Sequence, residues 1–520
     1  MFLKTIVTVA SLLAATVQGG YVGYPRPSIY SKSAHFSLKV NGTDMYTVSY
    51  AGYDYVQFSM DEGYDTEIII EARDQASINS YTITPQALPI KARVDGKKLI
   101  FKMKKAHYLI VKINSMKEFV VGADPSETNV PKLGASNVFN VLDYKADNTG
   151  AAITAGVQAA IDAAAKRPGS IVYVPPGLYL VGNLVIRDRT SLYLAGGSVL
   201  RFTGKKSDYK VMYTKSDLGD GTWWISTDKD TTGIKIFGRG TIDGNGYNTR
   251  KNTGADKFMA SMVVPAGTKD FHMDGVLVRD SSFWAVNVVQ VQDSTFTNLK
   301  IFDRFDVTQD DGIDINESSN VKVRRVIAIA NDDSFSAKTW PYKTGTTVPF
   351  PYQPRPNNKI WFDDCLAWTL CYAYKIGEGV WEEQSEITFQ NSYVYYAGVG
   401  CGINHKYGSA SARNITWQNI DIERLGGSPG GQAAWATLYV NFVKQGAGPI
   451  GPGILLKNIK ARMKGKQRGL IQGYDASSTI SDVTFTDIYM ENSPNPATSF
   501  DALNMERTNF YSNINIKNTK

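Results

Sequence analysis

Cysteines and long apolar runs are scarce in this chain, and each scarcity excludes a class of protein. Only 3 of the 520 residues are cysteine, so at most one disulfide can form and the fold cannot depend on a disulfide framework. Their positions, Cys365, Cys371 and Cys401, match no zinc-binding spacing. Beyond residue 19, no unbroken apolar stretch approaches the length that spans a membrane. We therefore expect a soluble mature protein with no structural metal.

The first residues carry a targeting pattern. Residues 1–19, MFLKTIVTVASLLAATVQG, combine an early Lys4, a short apolar run and small residues at the end. This layout predicts a secretory signal peptide and an extracellular protein. Three glycosylation sequons, at Asn41, Asn316 and Asn414, are compatible with secretion.

The charge balance is mildly basic. The formal net charge is +7, which favours either an acidic polymer partner, by long-range attraction, or simply solubility. The basic residues form no nucleic-acid motif, and the run KGKQR at Lys464 to Arg468 is short enough to be an exposed turn. We expect no nucleic-acid partner.

Composition and turn signals predict an all-β chain with two domains. Its 46 glycines and 29 tyrosines, with many Asn, Thr and Val residues, favour strands and turns. Residues 20–135 alternate apolar and polar positions in short runs separated by turns, which predicts a small antiparallel β-sandwich. We place the second domain at residues 136–520, after a linker rich in proline and polar residues.

The second domain is a repeat of strands. One helix is expected near Ala152 to Lys166, as a cap. The repeated strand pairs begin near Gly233, Asp270, Ser294, Asn320, Asn358, Glu386, Asn414, Gly453 and Asp482. The core spacing of about 25 to 28 residues indicates a right-handed parallel β-helix, in which Asn residues at turns can stack as ladders. A β-propeller is the alternative, but its four-stranded repeats are longer.

Two acidic motifs lie about one coil apart. Asp311, in TQDDGIDINES, precedes Asp332 by 21 residues, and Asp333 is adjacent. Strands on neighbouring coils lie about 5 Å apart, so we expect these carboxylates to stack on one outer face, with Asp310 and Asp314 nearby. Close carboxylates cannot all ionise, so at least one pKa is raised. One protonated acid and one ionised base are the requirement of glycoside hydrolysis.

Acidic pairs on turns also bind calcium or simply face solvent. Lys338 follows Asp333 closely, and a lysine beside the pair argues against a pure cation site. Two acidic groups one coil apart favour a catalytic site over a solvated turn. No metal or cofactor is implied.

At this point four motifs resemble the polygalacturonases of glycoside hydrolase family 28: GRGTIDGNG, DSSFWAVNV, DDGIDINESSNVKV and NDDSFSAK, starting at Gly238, Asp280, Asp310 and Asn331. The resemblance covers about residues 136–490. It implies an inverting hydrolase of pectin-type polymers on a right-handed parallel β-helix. By the resemblance, Asp332 is the general acid, Asp311 and Asp333 hold and activate water, and Lys338 orients Asp332 or changes its proton affinity.

The match is weaker downstream, where substrate is bound. Tyr372 stands where the family carries the histidine of a Gly-His-Gly turn. Asn404 and Lys406 stand where it carries an Arg-x-Lys clamp for the galacturonate carboxylate, so the planar bidentate grip of arginine is missing. His405 either binds sugar or is a hydrogen-bonded histidine without that role. The dextranases and isopullulanases of family 49 also join a β-sandwich to a β-helix, and they act on neutral α-glucans.

Aromatic residues and one long loop complete the candidate site. Aromatic faces stack on sugar rings, and the candidates are Trp340, Trp368, Tyr372 and Trp381. Residues 339–359 form a loop whose length and prolines indicate a wall of a substrate cleft. The expected partner is a polysaccharide bound by a monomer. A polysaccharide lyase or epimerase, and a non-catalytic carbohydrate-binding β-helix, are the alternatives.

Overall fold

The computed structural model describes residues 17–18, 20–153, 155–215, 218–250, 258–427, 433–441 and 445–519. Except for Val17 and Gln18, the signal peptide predicted at residues 1–19 lies outside these ranges, so it stays a prediction. None of the helices within the described ranges has the length and apolar character that crossing a membrane requires.

The N-terminal part consists of two small sheets. One sheet has the order β1-β2-β6-β12-β11-β8, with β5 beside β6, and the other has the order β4-β3-β7-β10-β9. All pairs are antiparallel except β6 with β12. Alternate residues of β7 point into the core between the sheets, as expected of a sandwich. The strands are β1 (Val17–Gln18), β2 (Tyr21–Gly23), β3 (Phe36–Val40), β4 (Thr43–Met45), β5 (Thr47–Ser49), β6 (Tyr53–Met60), β7 (Thr66–Ala72), β8 (Tyr81–Thr84), β9 (Ala92–Asp95), β10 (Lys98–Met103), β11 (Tyr108–Ile113) and β12 (Glu118–Pro125).

The remainder of the chain is a solenoid of short strands. Its first half contains β13 (Val138–Asn140), β14 (Thr149–Ile153), β15 (Ser170–Val174), β16 (Gly177–Leu180), β17 (Leu184–Ile186), β18 (Thr190–Leu194), β19 (Ser198–Arg201), β20 (Tyr213–Lys215), β21 (Gly219–Thr227), β22 (Thr232–Gly238), β23 (Thr241–Asp243), β24 (Met259–Val264), β25 (Lys269–Asp274), β26 (Leu277–Arg279), β27 (Val286–Val289), β28 (Gln292–Thr297) and β29 (Lys300–Phe302). Its second half contains β30 (Ile313–Asn316), β31 (Ser319–Arg324), β32 (Ile327–Ala330), β33 (Phe335–Thr339), β34 (Asn357–Asp363), β35 (Leu366–Thr369), β36 (Tyr372–Val380), β37 (Gln384–Tyr396), β38 (Val399–Tyr407), β39 (Ala412–Ile422), β40 (Ala434–Val440), β41 (Ile454–Ala461), β42 (Gly469–Gln472), β43 (Ile480–Met490), β44 (Met505–Arg507) and β45 (Tyr511–Ile516).

Helical segments are few among the described residues. The α-helices are α1 (Gly156–Ala164) and α2 (Gly246–Arg250), and short 3-10 turns span Val141–Tyr144, Lys206–Asp208 and Gly345–Thr347. The predicted helix near Ala152 to Lys166 is therefore real but shorter, because β14 includes the residues up to Ile153. Val157, Ala160 and Ile161 bury its apolar side against the first coil.

The solenoid strands form two long parallel sheets. The longer sheet runs from β13 to β45, and the shorter one follows β17-β21-β24-β27-β30-β33-β36-β38-β40-β42-β44. Along the longer sheet, partner residues are separated by between 20 positions, as in Ser170↔Thr190, and 44 positions, as in Leu192↔Ile236. Apolar side chains from both sheets fill one continuous core. The predicted fold class, a right-handed parallel β-helix preceded by a small β-sandwich, is confirmed.

An asparagine ladder stabilises one turn of the solenoid. Asn391, Asn419 and Asn458 all have positive φ angles. Asn419 donates to Asn391 Oδ1 and Asn458 donates to Asn419 Oδ1, each at 2.8 Å, and Asn391 donates to Asp363 Oδ1 at 2.7 Å. Asparagine adopts this left-handed conformation more readily than most residues. The stacking predicted from the sequence is present here.

The two parts of the chain share an aromatic and ionic interface. Tyr53 of the sandwich packs on Trp368 of the solenoid, with ring centroids 5.4 Å apart. Trp368 therefore supports the domain interface and does not reach the candidate sugar-binding face. Nearby, buried Asp124 lies 2.5 Å from Lys300 Nζ and 3.6 Å from Arg239 Nε. The sandwich carboxylate thus neutralises two cations of the solenoid.

We expect Asp124→Ala to destabilise the protein by about 3–5 kcal/mol, because it leaves the ammonium of Lys300 buried without the carboxylate that it contacts and leaves Arg239 with Asp274 alone, at 3.7 Å. Urea unfolding followed by tryptophan fluorescence measures the loss. The control is Asp44→Ala, which removes a carboxyl that is 73% exposed and 3.6 Å from Lys39. Equal midpoints for the two variants would contradict the role assigned to Asp124.

The cysteines and sequons have distinct surroundings. Cys365, Cys371 and Cys401 are free thiols, and Cys365 and Cys401 are buried. Asn316 is also buried, and its amide donates to Asn287 Oδ1 at 2.9 Å. In the folded protein its side chain is therefore not available for a glycan, whereas Asn41 and Asn414 are exposed.

Candidate active site

The candidate site lies on the shorter sheet of the solenoid, where β30, β33, β36 and β38 are neighbours. Asp310 and Asp311 precede β30, and Asp332 and Asp333 precede β33. The apolar residues of these strands alternate into the core, so the intervening polar residues emerge on one outer face. Strand order therefore brings four coils of polar side chains together.

The register differs by one residue from the prediction. Asp314 pairs with Ser336, an offset of 22, and Gly312 N donates to Asp333 O at 2.8 Å. Asp311 therefore stacks next to Asp333 rather than next to Asp332. The sequence analysis took 21 residues as the length of this coil, whereas the register of the two strands gives 22.

Lys338 joins the carboxylates of two coils. Its ammonium contacts Asp311 Oδ2 and lies 3.0 Å from Asp314 Oδ1 and 3.6 Å from Asp333 Oδ2. The Lys338 side chain is 5% exposed, and its ammonium lies 4.9 Å from the centre of the Trp284 ring. Burial lowers the pKa of Lys338, but the three carboxylates outweigh it and raise that pKa above its ordinary value. Lys338 is thus a permanent cation beneath the carboxylates.

Asp333 is held in the ionised state by a second lysine that the sequence analysis missed. Lys375 Nζ lies 2.9 Å from Asp333 Oδ2 and 3.2 Å from its Oδ1. Burial opposes ionisation of Asp333, but Lys375 and then Lys338 outweigh it, so the pKa of Asp333 lies below its ordinary value. Alternation within YAYKIGEG could have revealed Lys375, because Tyr374 and Ile376 on either side point into the core.

Asp332 is partly exposed and has the opposite electrostatics. Gln309 donates to its Oδ2 at 3.0 Å, and its backbone N–H donates to Asp310 Oδ1 at 3.1 Å. Burial, and then the charge of Asp333, raise the pKa of Asp332 above its ordinary value. The pKa values of the adjacent residues Asp332 and Asp333 are therefore shifted in opposite directions, which suits Asp332 to act as an acid and Asp333 to act as a base.

The carboxyls behind this pair also resist ionisation. Burial and the neighbouring Asp314 raise the pKa of Asp311, against the pull of Lys338. Burial and Asp303 raise the pKa of Asp310 well above its usual range. One oxygen of Asp311, Oδ1, has no hydrogen-bond partner among the described residues. This oxygen is buried, so it pairs with a water or a sugar hydroxyl only if such a group enters the site.

No cation is needed beside Asp333, although an acidic cluster is present. Ligand atoms of Asp332, Asp333 and Cys371 lie within 4.8 Å of one another. The Lys375 ammonium already contacts both oxygens of Asp333. Burial, and then the charges of Asp333 and Asp332, raise the pKa of the Cys371 thiol, which favours the neutral thiol over the thiolate that binds metals.

The predicted substrate-binding residues of β36 and β38 do not all lie on the polar face. Asn404 and Lys406 lie on the polar face of β38, and Tyr372 is buried at the start of β36 beside Gly402. His405 alternates to the other face, is 1% exposed, and donates from Nε2 to Ala410 O at 2.8 Å. The structure does not bring His405 to the site.

A carboxylate absent from the sequence prediction occupies the same face. Glu378 lies with both oxygens 3.3 Å from Lys406 Nζ, and Asn404 Nδ2 donates to its Oε1 at 3.4 Å. Burial lowers the pKa of Lys406, but Glu378 outweighs it and the pKa is raised. Only the register with β38 reveals this contact, because 28 residues separate Glu378 from Lys406.

Aromatic rings border the site at the beginning of the long loop. Trp340 packs between Trp284 and Tyr407, at 6.3 Å from each ring centre, and its Nε1 donates to Asn316 Oδ1 at 3.1 Å. Farther along the loop, Phe350 packs on Trp223. The loop is therefore anchored to the solenoid, and Trp340 is the ring it places at the site.

The fold and the site together define a parallel β-helix protein with a carboxylate and lysine cluster suited to acid–base chemistry. Comparison with known proteins makes this class more specific. A model of the family "Glycosyl hydrolases family 28" matches residues 173–346. The exo-poly-alpha-D-galacturonosidase of Dickeya chrysanthemi is 24% identical over 262 residues, which are 40% of this chain and 42% of that relative. The chain thus spans about two fifths of the length of this curated relative.

Two solved structures share the fold at low identity. Dex49A from Penicillium minioluteum has a TM-score of 0.62 at 13% identity and covers 96% of this chain and 99% of its own. The exopolygalacturonase from Thermotoga maritima has a TM-score of 0.54 at 16% identity, covering 70% of this chain and 89% of its own. The predicted resemblance to family 28, with a family 49 likeness that includes the sandwich, is confirmed. These findings support the predicted class, a glycoside hydrolase.

Proposed function

We propose that this protein is a secreted glycoside hydrolase that cleaves a polysaccharide by acid–base catalysis. The observation that carries the proposal is the contrast between two adjacent carboxyls. Asp332 has a raised pKa and is partly exposed, whereas Asp333 is kept ionised by Lys375 and Lys338. Glycoside hydrolysis needs such a pair, one protonated and one charged.

Asp332 acts as the general acid in this mechanism. Its proton passes to the glycosidic oxygen as the bond to the anomeric carbon breaks, so the leaving sugar departs as an alcohol. Gln309 donates to one oxygen of the Asp332 carboxyl and the backbone N–H of Asp333 donates to the other, and together they fix its direction. A positioned acid of this kind contributes about 10²- to 10⁴-fold to the rate.

Asp311 and Asp333 act on the water. They stack on consecutive coils with Lys338 between them, so a water held by both would meet one ionised oxygen of Asp333 and the unpaired Oδ1 of Asp311. The ionised carboxylate takes a proton as the water oxygen attacks the anomeric carbon. We propose inversion of configuration, the outcome that the family resemblance implies.

The substrate proposed first is a pectin-type polymer related to polygalacturonate. It follows from the family 28 match over residues 173–346 and from the similarity to the exo-poly-alpha-D-galacturonosidase of Dickeya chrysanthemi. A neutral α-glucan is the second candidate, favoured by the contact of Lys406 with Glu378.

A substrate screen with stereochemical readout tests the proposal. Purified protein is incubated with polygalacturonate, methyl-esterified pectin, rhamnogalacturonan, dextran and pullulan, and proton NMR follows the first-formed anomer. We expect hydrolysis of at least one polymer with an inverted anomer. A retained anomer would contradict inversion, unsaturated products would indicate a lyase, and no change in any polymer would contradict the enzyme assignment.

A further inference from the structure

Three lysines line the face of the candidate site, and each already contacts a carboxylate of this chain. Lys338 contacts Asp311 and Asp314, Lys375 contacts Asp333, and Lys406 contacts Glu378. A lysine that serves a substrate carboxylate must offer its charge to that substrate. None of these three ammonium groups is without a protein counter-ion.

The polar face also carries more acidic than basic groups. Residues 310–316, 332–338, 371–380 and 399–407 contain six carboxyl side chains and three lysines. The carboxyls are those of Asp310, Asp311, Asp314, Asp332, Asp333 and Glu378. Each lysine of this set already contacts a carboxylate of the protein, so a bound anion meets no uncommitted positive charge on this face.

The Lys406 subsite is formed by Glu378, Asn404 and Lys406. Its ion pair is the most exposed of the three lysine–carboxylate pairs on this face. Both oxygens of Glu378 lie 3.3 Å from the ammonium, and the two side chains are 32% and 26% exposed. The pair is intramolecular, so an incoming carboxylate competes with a partner at high effective concentration. A substrate carboxylate that displaced Glu378 from Lys406 would leave the Glu378 carboxylate without a counter-ion beside the negatively charged substrate.

The same subsite is equipped for uncharged hydroxyl groups. Asn404 is 6% exposed, and its Oδ1 has no hydrogen-bond partner among the described residues. On the next coil Tyr439 is the register partner of Asn404 and is partly exposed. An amide oxygen accepts from a sugar hydroxyl, and an aromatic side chain contacts a sugar ring without requiring charge.

Resting on the proposed function, we infer that the Lys406 subsite selects a sugar unit without a free carboxylate, with Glu378 as the residue that excludes uronate. The unit is a neutral hexose or a methyl-esterified uronate. Glu378 is thus a specificity-determining residue that acts by neutralising Lys406, and it takes no part in proton transfer.

Binding to a catalytically disabled protein tests this inference without needing turnover. Asp332→Asn is titrated by calorimetry with trigalacturonate and with its fully methyl-esterified form, which differ in charge and not in the sugar. Isomaltotriose serves as the neutral glucan probe. We expect the ester or the glucan to bind at least about tenfold more tightly than the free acid.

The charge of Glu378 is then removed in the same background. Glu378→Gln frees Lys406, so we expect about tenfold tighter binding of trigalacturonate at low salt, a smaller gain at 0.5 M NaCl and less than threefold change for the neutral probes. Adding Lys406→Met should cancel the gain. The control is Glu386→Gln, which removes an exposed carboxyl from β37.

The outcomes separate this inference from the proposed function. Tighter binding of trigalacturonate than of both neutral probes, or an unchanged affinity in Glu378→Gln, would overturn the role of Glu378 even if the wild-type protein hydrolyses a polymer. If the affinity pattern is found but no polymer is hydrolysed, the hydrolase proposal fails and the subsite assignment stands.

Discussion

Asp332→Asn should lower turnover by about 10²- to 10⁴-fold on the best polymer found in the screen, because asparagine cannot donate the proton that the leaving oxygen needs. Asparagine keeps the size of the side chain and can accept the contact from Gln309, so the fold should be retained. Reducing-sugar release measures the rate, and circular dichroism with thermal unfolding verifies the structure.

The pH dependence of activity tests the roles assigned to Asp332 and Asp333. In the wild-type protein, activity requires protonated Asp332, whose pKa is raised, and ionised Asp333, whose pKa is lowered. Activity should therefore rise with pH as Asp333 loses its proton and fall as Asp332 loses its own. The falling limb should be absent from the residual activity of Asp332→Asn.

Asp44→Asn is the matched control for this variant, since it makes the same chemical change at an exposed sandwich residue. It should keep the wild-type rate and both limbs of the pH profile. A rate for Asp332→Asn within threefold of that control would remove Asp332 from the mechanism.

Lys338→Met should destabilise the protein by about 3–5 kcal/mol at neutral pH and abolish measurable turnover. Methionine fills the space but leaves Asp311, Asp314 and Asp333 buried without the cation between them. Removing one partner of a buried ionic group costs this much because the remaining charges are uncompensated.

The loss should depend on pH in a defined direction. Without Lys338, the pKa values of Asp311 and Asp314 in the folded state, which are already raised, rise further above their unfolded values near 4, and the pKa of Asp333 loses part of its lowering. Such groups stabilise the folded state below the unfolded pKa and lose that contribution as pH rises through the folded pKa. The deficit relative to wild type should thus be small near pH 4 and large near pH 7.

Urea unfolding at the two pH values measures this effect, with Lys457→Met as the control at an exposed position of β41. The control should follow the wild-type midpoint at both values. A deficit for Lys338→Met that grows towards acid would contradict the proposed burial of uncompensated carboxylates.

The sequence predicts the solenoid well because each coil repeats the same physical requirement. Apolar residues alternate in every strand pair, and residues such as Asn391 and Asn419 mark equivalent turns. The carboxyls Asp311, Asp332 and Asp333 are predicted from two acidic motifs about one coil apart and from the family resemblance. The predicted stacking of Asp311 on Asp332 is wrong by one residue, because the length of the turn cannot be read from composition. A shift of one position changes which side chains stack, and Asp311 lies next to Asp333 instead.

Residues distant in sequence were harder to assign. Lys375 lies beyond the long loop, so the offset that aligns it with Asp333 depends on how many residues that loop adds to the coil. Glu378 meets Lys406 through the register of β36 with β38, which shifts between Glu378 and Gly379. His405 could have been placed by strand alternation, because Asn404 and Lys406 on either side share the opposite face. Trp368 could not, since only the docked sandwich shows which surface of the solenoid it covers.

The interface around Tyr53, Trp368 and the Asp124 group makes the sandwich and the solenoid one cooperative unit. Detaching the sandwich would leave Lys300 without the carboxylate that it contacts and expose the aromatic surface of the neighbouring coils. We therefore expect the two parts to melt in a single transition and a solenoid produced alone to self-associate. The sandwich is best regarded as a fixed lateral wall of the solenoid rather than as a tethered accessory module.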